Sequence, residues 1–468
     1  MITEHSGVNR DIIANALEKG NKRVYFVGIG GVSMSSLSVM LAERGFSVFG
    51  SDITGSNITD RLSDLGVGID FYQNGEYLKK VSPALAVYSL SADTENGDLK
   101  TARSLNIPTV SRAELLGYLA EGYRRSFAVS GSHGKTTVTS LLKDIFILAG
   151  KNPTALLGGA DERGACEIIG GREDLIFESC EYRNSFLKIT PTHQIILNME
   201  LDHTDFFESI EDLEKSFLKC AQGAKSFVFL PDTFKNLEAI KEKIGKRAIT
   251  YGEGKEADYR YEIIGNNKGR YEYRLFSGKI LLGVIKLGAA GRHNAENSVA
   301  AVVAAYHSGI KFKICKYAAE NFLPPSRRNQ IIGKIGKADI IYDYAHHPTE
   351  IKAALKTLKE MGYKRIITVF CPHTYSRTLS FAAEFGEALA EAKKVIITEI
   401  YPAREKAIKG VSGKWLAGLV NSQDGNAVYK KQKKIYAYIR SIAGEFDCLV
   451  LMGAGRFDIL KDQLQKTP

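Results

Sequence analysis

At 468 residues the chain is too long for one compact core and, at roughly 150 residues per domain, predicts about three domains. Its composition, 44% hydrophobic and 25% charged with 44 Gly and 11 Pro, is that of an ordinary soluble globular protein rather than a fibrous or disordered one. The formal charge of +10, from 63 Lys and Arg against 53 Asp and Glu, would suit nucleic acid, a membrane surface or a polyanionic small substrate.

The densest basic run, Lys430–Lys434, lacks the interleaved aromatics of a nucleic-acid reader and reads as a solvated helix face. The first twenty residues carry charges and no apolar block, unlike a secretory signal. The longest apolar run, Val299 to Tyr306, is far below the roughly 18 residues of a spanning helix. A cytoplasmic protein with no nucleic-acid or membrane partner is expected. Cysteines at 166, 180, 220, 315, 371 and 448 form no Cys-x-x-Cys pair and read as small buried hydrophobes.

From Arg23, VYFVGIGG reads as a strand running into glycines, followed by a helix with Met34, Leu37, Met40 and Leu41 on one side. A second strand, FSVFGSD, ends in Asp52, an acid about twenty residues past the glycines, as in dinucleotide-binding βαβ units. The third glycine of G-x-G-x-x-G is absent, because Gly28, Gly30 and Gly31 are followed by Ser33. Such a turn can hold any pyrophosphate through helix N-terminal amides, or can be a tight turn only.

The second segment, FAVSGSHGKTT, places Val129 where a strict P-loop has its first glycine. Gly131 and Gly134 still let the backbone curl with its amides inward, Lys135 supplies a point charge for β and γ phosphates, and Thr136 can hold Mg²⁺. Behind the loop Val138, Leu141, Leu142, Ile145 and Leu148 predict an apolar helical stripe, with Gly150 as the residue just past its end. LIFESCE and QIILNMELDHTDFF predict two further strands, with Glu178, Glu181, Asp202, His203 and Asp205 beyond their carboxyl ends and facing the crevice of Lys135. Carboxylate and imidazole beside a triphosphate suit a second divalent ion.

Pro324 and Pro325 in NFLPPSRRNQ predict a linker and a hinge. Beyond it RIITVFCPH, KVIITEIY and CLVLMGAG predict strands of a second doubly wound sheet. Asp343, Tyr344, His346, His347, His373, Arg377 and Arg404 gather after such strands, and the adjacent histidines read as hydrogen-bonding or capping groups. No nucleophile elbow is present.

The order and spacing of GIGGVSMS (from Gly28), GSD (from Gly50), GSHGKTT (from Gly131), ESCEYRNSFL (from Glu178), NMELDHTDFF (from Asn198), GRHNAENSVAA (from Gly291), RRNQ (from Arg327), YDYAHHPTE (from Tyr342), PHTYSRT (from Pro372) and GAG (from Gly453) resemble the Mur ligase family. The resemblance implies three α/β domains: an N-terminal Rossmann-like domain for a UDP-sugar (1–122), a central P-loop ATPase-like domain with a parallel or mixed sheet (123–322), and a C-terminal Rossmann-like domain (323–468). It implies ATP and Mg²⁺ as cofactors, UDP-N-acetylmuramic acid and L-alanine as substrates, and a monomer or homodimer. The implied reaction passes the γ phosphoryl group to the lactyl carboxylate, and the amine of L-alanine then attacks the acyl phosphate.

Residue by residue, the resemblance implies that the cradle Gly131, Ser132, His133, Gly134, Lys135, Thr136 and Thr137 binds ATP, with Asn294 and Asn297 at adenine and Arg328 and Asp343 as further nucleotide contacts. Thr136, Glu181 and His203 are the implied metal ligands. Lys135, Glu181, His203, His346 and Arg377 are the implied catalytic set. Gly28, Gly30, Gly31, Ser33, Asp52 and His373 are the implied substrate contacts. The sequence departs from the family pattern at Asn74, in SLSADTEN from Ser89, at Thr374 and at Arg456, which touches sugar and amino-acid specificity more than ATP chemistry. A related ligase for another amino acid or a recycled peptide is the neighbouring reading. A non-catalytic nucleotide binder leaves the intact Lys135, Thr136, Glu181 and His203 without a use, and an NAD dehydrogenase leaves the P-loop unexplained.

Overall fold

A computed structural model describes residues 5–90, 92–93, 95–159, 165–202, 204, 206–403, 405–455 and 457–465. His203, Asp205, Arg404 and Arg456, singled out in the sequence, lie outside the described residues. The chain forms two compact units, the first comprising Met1–Glu200, Glu211–Arg260 and Ala300–Ala318, the second Leu201–Ile210, Tyr261–Val299 and Ala319–Pro468. Pro324 and Pro325 therefore lie inside the second unit, five and six positions past Ala319, where the chain last enters it.

The first unit opens with a five-stranded parallel sheet of β1 (Arg23–Val27), β2 (Ser47–Ser51), β3 (Gly68–Asp70), β4 (Leu85–Tyr88) and β5 (Thr109–Ser111), in the order β3-β2-β1-β4-β5. Strand order reverses beside β1, so a crevice opens outside its carboxyl end, where the glycines follow. The helix Val32–Ala42 buries Met34, Leu37, Met40 and Leu41 as expected, but Ser35, Ser36, Ser38 and Val39 are buried too. Its serine hydroxyls donate to backbone carbonyls, Ser35 to Val32 at 2.8 Å and Ser38 to Ser35 at 2.7 Å, which is how a helix enclosed on nearly all sides tolerates them.

The second sheet of this unit contains β6 (Arg125–Ser130), β7 (Thr154–Leu156), β8 (Glu167–Ile168), β9 (Asp174–Glu178), β10 (His193–Ile196), β11 (Phe227–Pro231) and β12 (Ala248–Gly252), in the order β12-β11-β10-β6-β9-β7-β8. All neighbours are parallel except β7 and β8. Central β6 is apolar and buried on both faces at Phe127, Ala128 and Val129, as parallel strands covered by helices must be. The helix Lys135–Leu148 follows its loop and ends in a Schellman turn: Gly150, at φ +71°, donates to Ile147 at 2.9 Å and Lys151 to Phe146 at 3.0 Å. Val138, Leu141, Leu142 and Ile145 are buried, whereas Leu148 is 48% exposed and Phe146 takes the last inward position instead. Seven residues at about 100° each return Leu148 to within about 20° of Leu141, so it keeps the apolar face and is exposed because tertiary cover ends before the last turn.

In the second unit, the later part of β13 (Tyr259–Asn267) continues into β14 (Arg270–Ser277) and β15 (Ile280–Ala290), a hairpin that the sequence reading left without structure. The third sheet, β16 (Gln330–Ile335), β17 (Ala338–Asp343), β18 (Ile366–Phe370), β19 (Lys394–Ile397), β20 (Ala427–Tyr429) and β21 (Cys448–Met452), runs β16-β17-β21-β18-β19-β20 and is parallel except at β16. The basic run at Lys430–Lys434 is an exposed segment with a short 3₁₀ turn at Gln432–Lys434, not the expected helix face. The six cysteines are free, five of them buried and Cys180 half-buried.

Candidate active site

In the first unit, the turn after β1 is held by the acid at the end of β2. Gly28, at φ +83°, donates its N–H to Ser51 at 2.8 Å, and Gly30 donates to the Asp52 carboxylate at 2.8 Å. A Cβ at Gly30 would stand 2.9 Å from that carboxylate, so only glycine lets the turn close. Gly31 is the N-cap of the helix Val32–Ala42, and Ser33 lies exposed in its first turn. Gly28, Gly30, Gly31, Ser33 and Asp52 are thus one cluster, with Asp52 bracing the turn through Gly30.

The loop after β6 is clamped by the segment that follows β10. The Asn198 side chain accepts from His133 N–H at 2.8 Å and donates to the His133 carbonyl at 3.0 Å. Ser132 Oγ donates to the Glu200 carbonyl at 2.8 Å and accepts from its N–H at 2.9 Å, while His133 Nε2 lies 2.9 Å from the Glu200 carboxylate. Gly131 sits at φ +132°, where a Cβ would come within 3.1 Å of the Asn198 backbone. Gly134, at φ +86°, is the N-cap of the helix that Lys135, Thr136 and Thr137 begin. The loop is therefore a preformed curl ahead of a helix N-terminus, the arrangement that favours phosphate.

Lys135 bends back over this loop. Its Nζ donates to the carbonyls of Gly131 and, at 3.2 Å, Ser132, and stands 3.2 and 3.3 Å from the two Glu181 oxygens. Burial alone would lower its pKa, but the Glu181 carboxylate, with Glu178 beyond it, outweighs burial and raises it, so the ammonium is kept charged. The Glu181 side chain is only 2% exposed. Burial, then Glu181, pushes the neighbouring Cys180 thiol up to about 11, which leaves it protonated and unreactive at neutral pH. The Thr136 hydroxyl and Glu181 carboxylate are hard oxygen donors of the kind Mg²⁺ selects, so the described part of the expected ligand set fits that ion. Glu178 accepts from Gly158 N–H at 2.6 Å.

The second unit gathers the remaining expected residues. Asn294 and Asn297 lie buried in the first turns of the helix Arg292–His307, and Asn294 donates its amide to the Ala290 carbonyl at 2.6 Å. Asp343, at the end of β17, accepts from Asn329 and Ala345 N–H groups, each at 2.7 Å. Burial raises its pKa, opposed by Arg328 and by those two donors. Burial and then Arg328 drop His293 to about 4, against an opposing Glu350, so this imidazole is neutral at physiological pH. Arg328 thus acts electrostatically on both His293 and Asp343, while Arg327 stacks on Tyr342 and Tyr344, each 4.6 Å away, and donates to Gly453 at 2.8 Å.

His346 Nδ1 lies 3.0 Å from the Tyr344 carbonyl and 3.1 Å from Glu350, and His347 is the N-cap of the helix Pro348–Glu360. The Glu350 carboxylate accepts from His346 N–H at 3.0 Å, so the histidine pair serves hydrogen bonding and capping as expected. His373 Nδ1 lies 2.8 Å from Arg377, whose fork meets the Asp202 carboxylate at 2.7, 2.9 and 3.1 Å. Both partners are only 9% exposed. Asp202, expected beyond a strand end, is thus engaged by Arg377. Thr374 takes φ +62° and its hydroxyl caps Arg377 N–H. Asn74 caps the turn at Glu76 from an exposed position.

The preformed loop, with Lys135 and the Glu181 carboxylate beside it, suits a nucleoside triphosphate, and the matches to known proteins make the chain an ATP-dependent amide-bond ligase. The sequence matches the models for the Mur ligase family catalytic domain at residues 23–124, the Mur ligase middle domain at 129–305 and the Mur ligase glutamate ligase domain at 327–455. The chain belongs to the Mur ligase family. The UDP-N-acetylmuramate–L-alanine ligase of Caldanaerobacter subterraneus subsp. tengcongensis is 36% identical over 440 residues, covering 93% of this chain and 95% of that one. The enzyme of the same name from Acetivibrio thermocellus is 37% identical, covering 93% of each. A solved UDP-N-acetylmuramate-alanine ligase from Thermotoga maritima shares the fold with a TM-score of 0.80 at 24% identity, covering 94% of this chain and 98% of that one.

Sequence reasoning missed the part played by Asn198 and Glu200, although both lie in a quoted motif just past a strand end, where a side chain can reach the neighbouring loop. The Arg377–Asp202 pair spans 175 positions and has no local signal. Arg112, discussed below, carries one weak sign: a cation directly after a helix-capping serine.

Proposed function

We propose that the protein joins L-alanine to the lactyl carboxylate of UDP-N-acetylmuramic acid, with ATP cleaved to ADP and phosphate. The observation that carries this reading is the 36–37% identity, over 93% of the chain, to ligases named for that reaction. The clamped loop supports it: its amides and Lys135 would hold the triphosphate and neutralise charge on the migrating phosphoryl group, which needs alignment more than a protein nucleophile. Thr136 and Glu181, with His203, would hold Mg²⁺, which would screen phosphate charge when bound.

Asn294, Asn297, Arg328 and Asp343 would contact the nucleotide, and His346, His373 and Arg377 the reacting groups. The turn from Gly28 to Ser33 would take the UDP pyrophosphate, held in shape by Asp52. The carboxylate then attacks the γ phosphorus, and the neutral amine of L-alanine displaces phosphate from the acyl phosphate. The domains of this reading are 1–122, 123–322 and 323–468. Among the described residues no helix is long and apolar enough to cross a membrane. ATP and a UDP-sugar as substrates suit the cytoplasm.

Phosphate release measured with UDP-N-acetylmuramic acid and, separately, alanine, glycine, serine and a cell-wall tripeptide tests the reading. Release strongest with alanine is expected. Release driven only by the tripeptide would overturn it.

A further inference from the structure

Arg112 opens the helix Arg112–Glu121, directly after its N-cap Ser111. A cation in that first turn opposes the helix dipole, which favours acids there. Burial lowers its pKa further, against only partial support from Cys180 and Glu178. Arg112 nevertheless makes no hydrogen bond and no ion pair with another described residue. Glu178, the carboxylate that acts on it, accepts from the Gly158 N–H. Fold stability alone gives no reason for a guanidinium at this position.

Its surroundings do. Arg112 lines a small cavity in the first unit together with Ser33, Leu37, Leu157, Phe177 and Glu178. Ser33 lies in the first turn of the helix that leaves the Gly28–Gly31 turn, and Glu178 ends β9, three positions before the Glu181 that meets Lys135. The cavity thus reaches from the proposed pyrophosphate turn to the strand end facing the phosphate loop. A guanidinium with its donors uncommitted, set among Leu37, Leu157 and Phe177, is a receptor for a carboxylate, which it can bind through two parallel hydrogen bonds in a poorly hydrated place.

We infer that Arg112 binds the acceptor carboxylate of the acid-bearing sugar nucleotide and orients it toward the phosphate loop, selecting for sugars that carry the acid. The inference rests on the proposed function, which supplies that substrate. The same group explains how a pyrophosphate site common to many UDP-sugars becomes selective: the acid gains a partner, and a neutral sugar leaves Arg112 desolvated and unpaired.

The test compares dissociation constants of UDP-N-acetylmuramic acid and UDP-N-acetylglucosamine, which lacks the lactyl acid, on the wild-type protein and on Arg112→Met and Arg112→Lys. Arg112→Met should weaken the acid-bearing ligand tenfold or more, about 1.4 kcal/mol, and the neutral one less than twofold. Arg112→Lys, which keeps the charge but loses the fork, should fall between. The melting temperature of Arg112→Met should be unchanged or raised. Equal weakening of both ligands, no weakening of either, or a lowered melting temperature would overturn the assignment. A wild-type protein that fails to bind UDP-N-acetylmuramic acid at all would instead sink the proposed function.

Discussion

Replacing Asn198 by alanine removes two hydrogen bonds that hold the phosphate loop, the one it accepts from His133 N–H at 2.8 Å and the one it donates to the His133 carbonyl at 3.0 Å. At about 0.5–1.5 kcal/mol each, the loss is about 1–3 kcal/mol of stability. Units of this size lose roughly 2–4 °C per kcal/mol, so the melting temperature should fall by roughly 2–12 °C. Catalysis should suffer more than stability. Amides that curl toward a phosphate work only when placed, and a displacement of about 1 Å costs about a hundredfold in rate. Phosphate release measured across ATP concentrations should therefore show kcat/KM for ATP down by about ten- to a hundredfold, while KM for the UDP-sugar stays within about twofold, because that site is shaped separately by Asp52. A variant that melts lower yet keeps kcat/KM for ATP within twofold of wild type would refute the claim that Asn198 shapes a phosphate cradle.

Glu181→Gln keeps the volume but not the charge, so the Mg²⁺ concentration for half-maximal activity should rise by about tenfold or more; an unchanged metal titration would remove Glu181 from the ligand set. Asp202→Ala leaves Arg377, only 9% exposed, without its carboxylate, and should cost about 3–5 kcal/mol in thermal or urea unfolding; a loss below about 1 kcal/mol would contradict a structural ion pair there. His193 is stacked 4.6 Å from Phe127, and burial, then Arg125 and His307, lower it to about 4. The unfolded chain, near 6.5, takes up a proton the native state refuses, so stability falls as pH drops from about 6.5 toward 4, at about 1.4 kcal/mol per unit from this group. His193→Phe should flatten urea-measured stability over that window by one proton, and an unaltered slope would show that His193 is not the refusing group.

Much of the site could be read locally because its signals are local. A strand, a glycine turn and Lys135 before an apolar helical stripe follow one another within about twenty residues, and backbone geometry forces such a run to curl its amides inward. Leu148 was misjudged because periodicity names a face without saying where tertiary cover ends. The β14 and β15 hairpin was legible and passed over: Tyr271, Tyr273 and Leu275 alternate inward, and Lys268 and Gly269, at φ +51° and +80°, form the preceding turn. The roles of Asn198 and Arg112 left only weak local signs and that of Asp202 none, since each depends on which distant segment the topology brings beside it. Asp52, expected as a substrate contact, also holds the Gly30 N–H with its carboxylate, a bracing role that spacing alone does not reveal. A short acid at a strand end meets an adjacent backbone donor before anything farther away.

The central claim is that the loop from Gly131 to Thr136 directs the γ phosphoryl group onto a sugar-borne carboxylate. It is tested most directly with UDP-N-acetylmuramic acid labelled in that carboxylate with a heavy oxygen isotope, turned over with ATP and L-alanine, the released phosphate being analysed by mass spectrometry. One labelled oxygen per phosphate is predicted for the wild-type enzyme, with no turnover in Lys135→Ala. Phosphate released without the label would mean that the carboxylate never bonded to phosphorus, and would contradict the account.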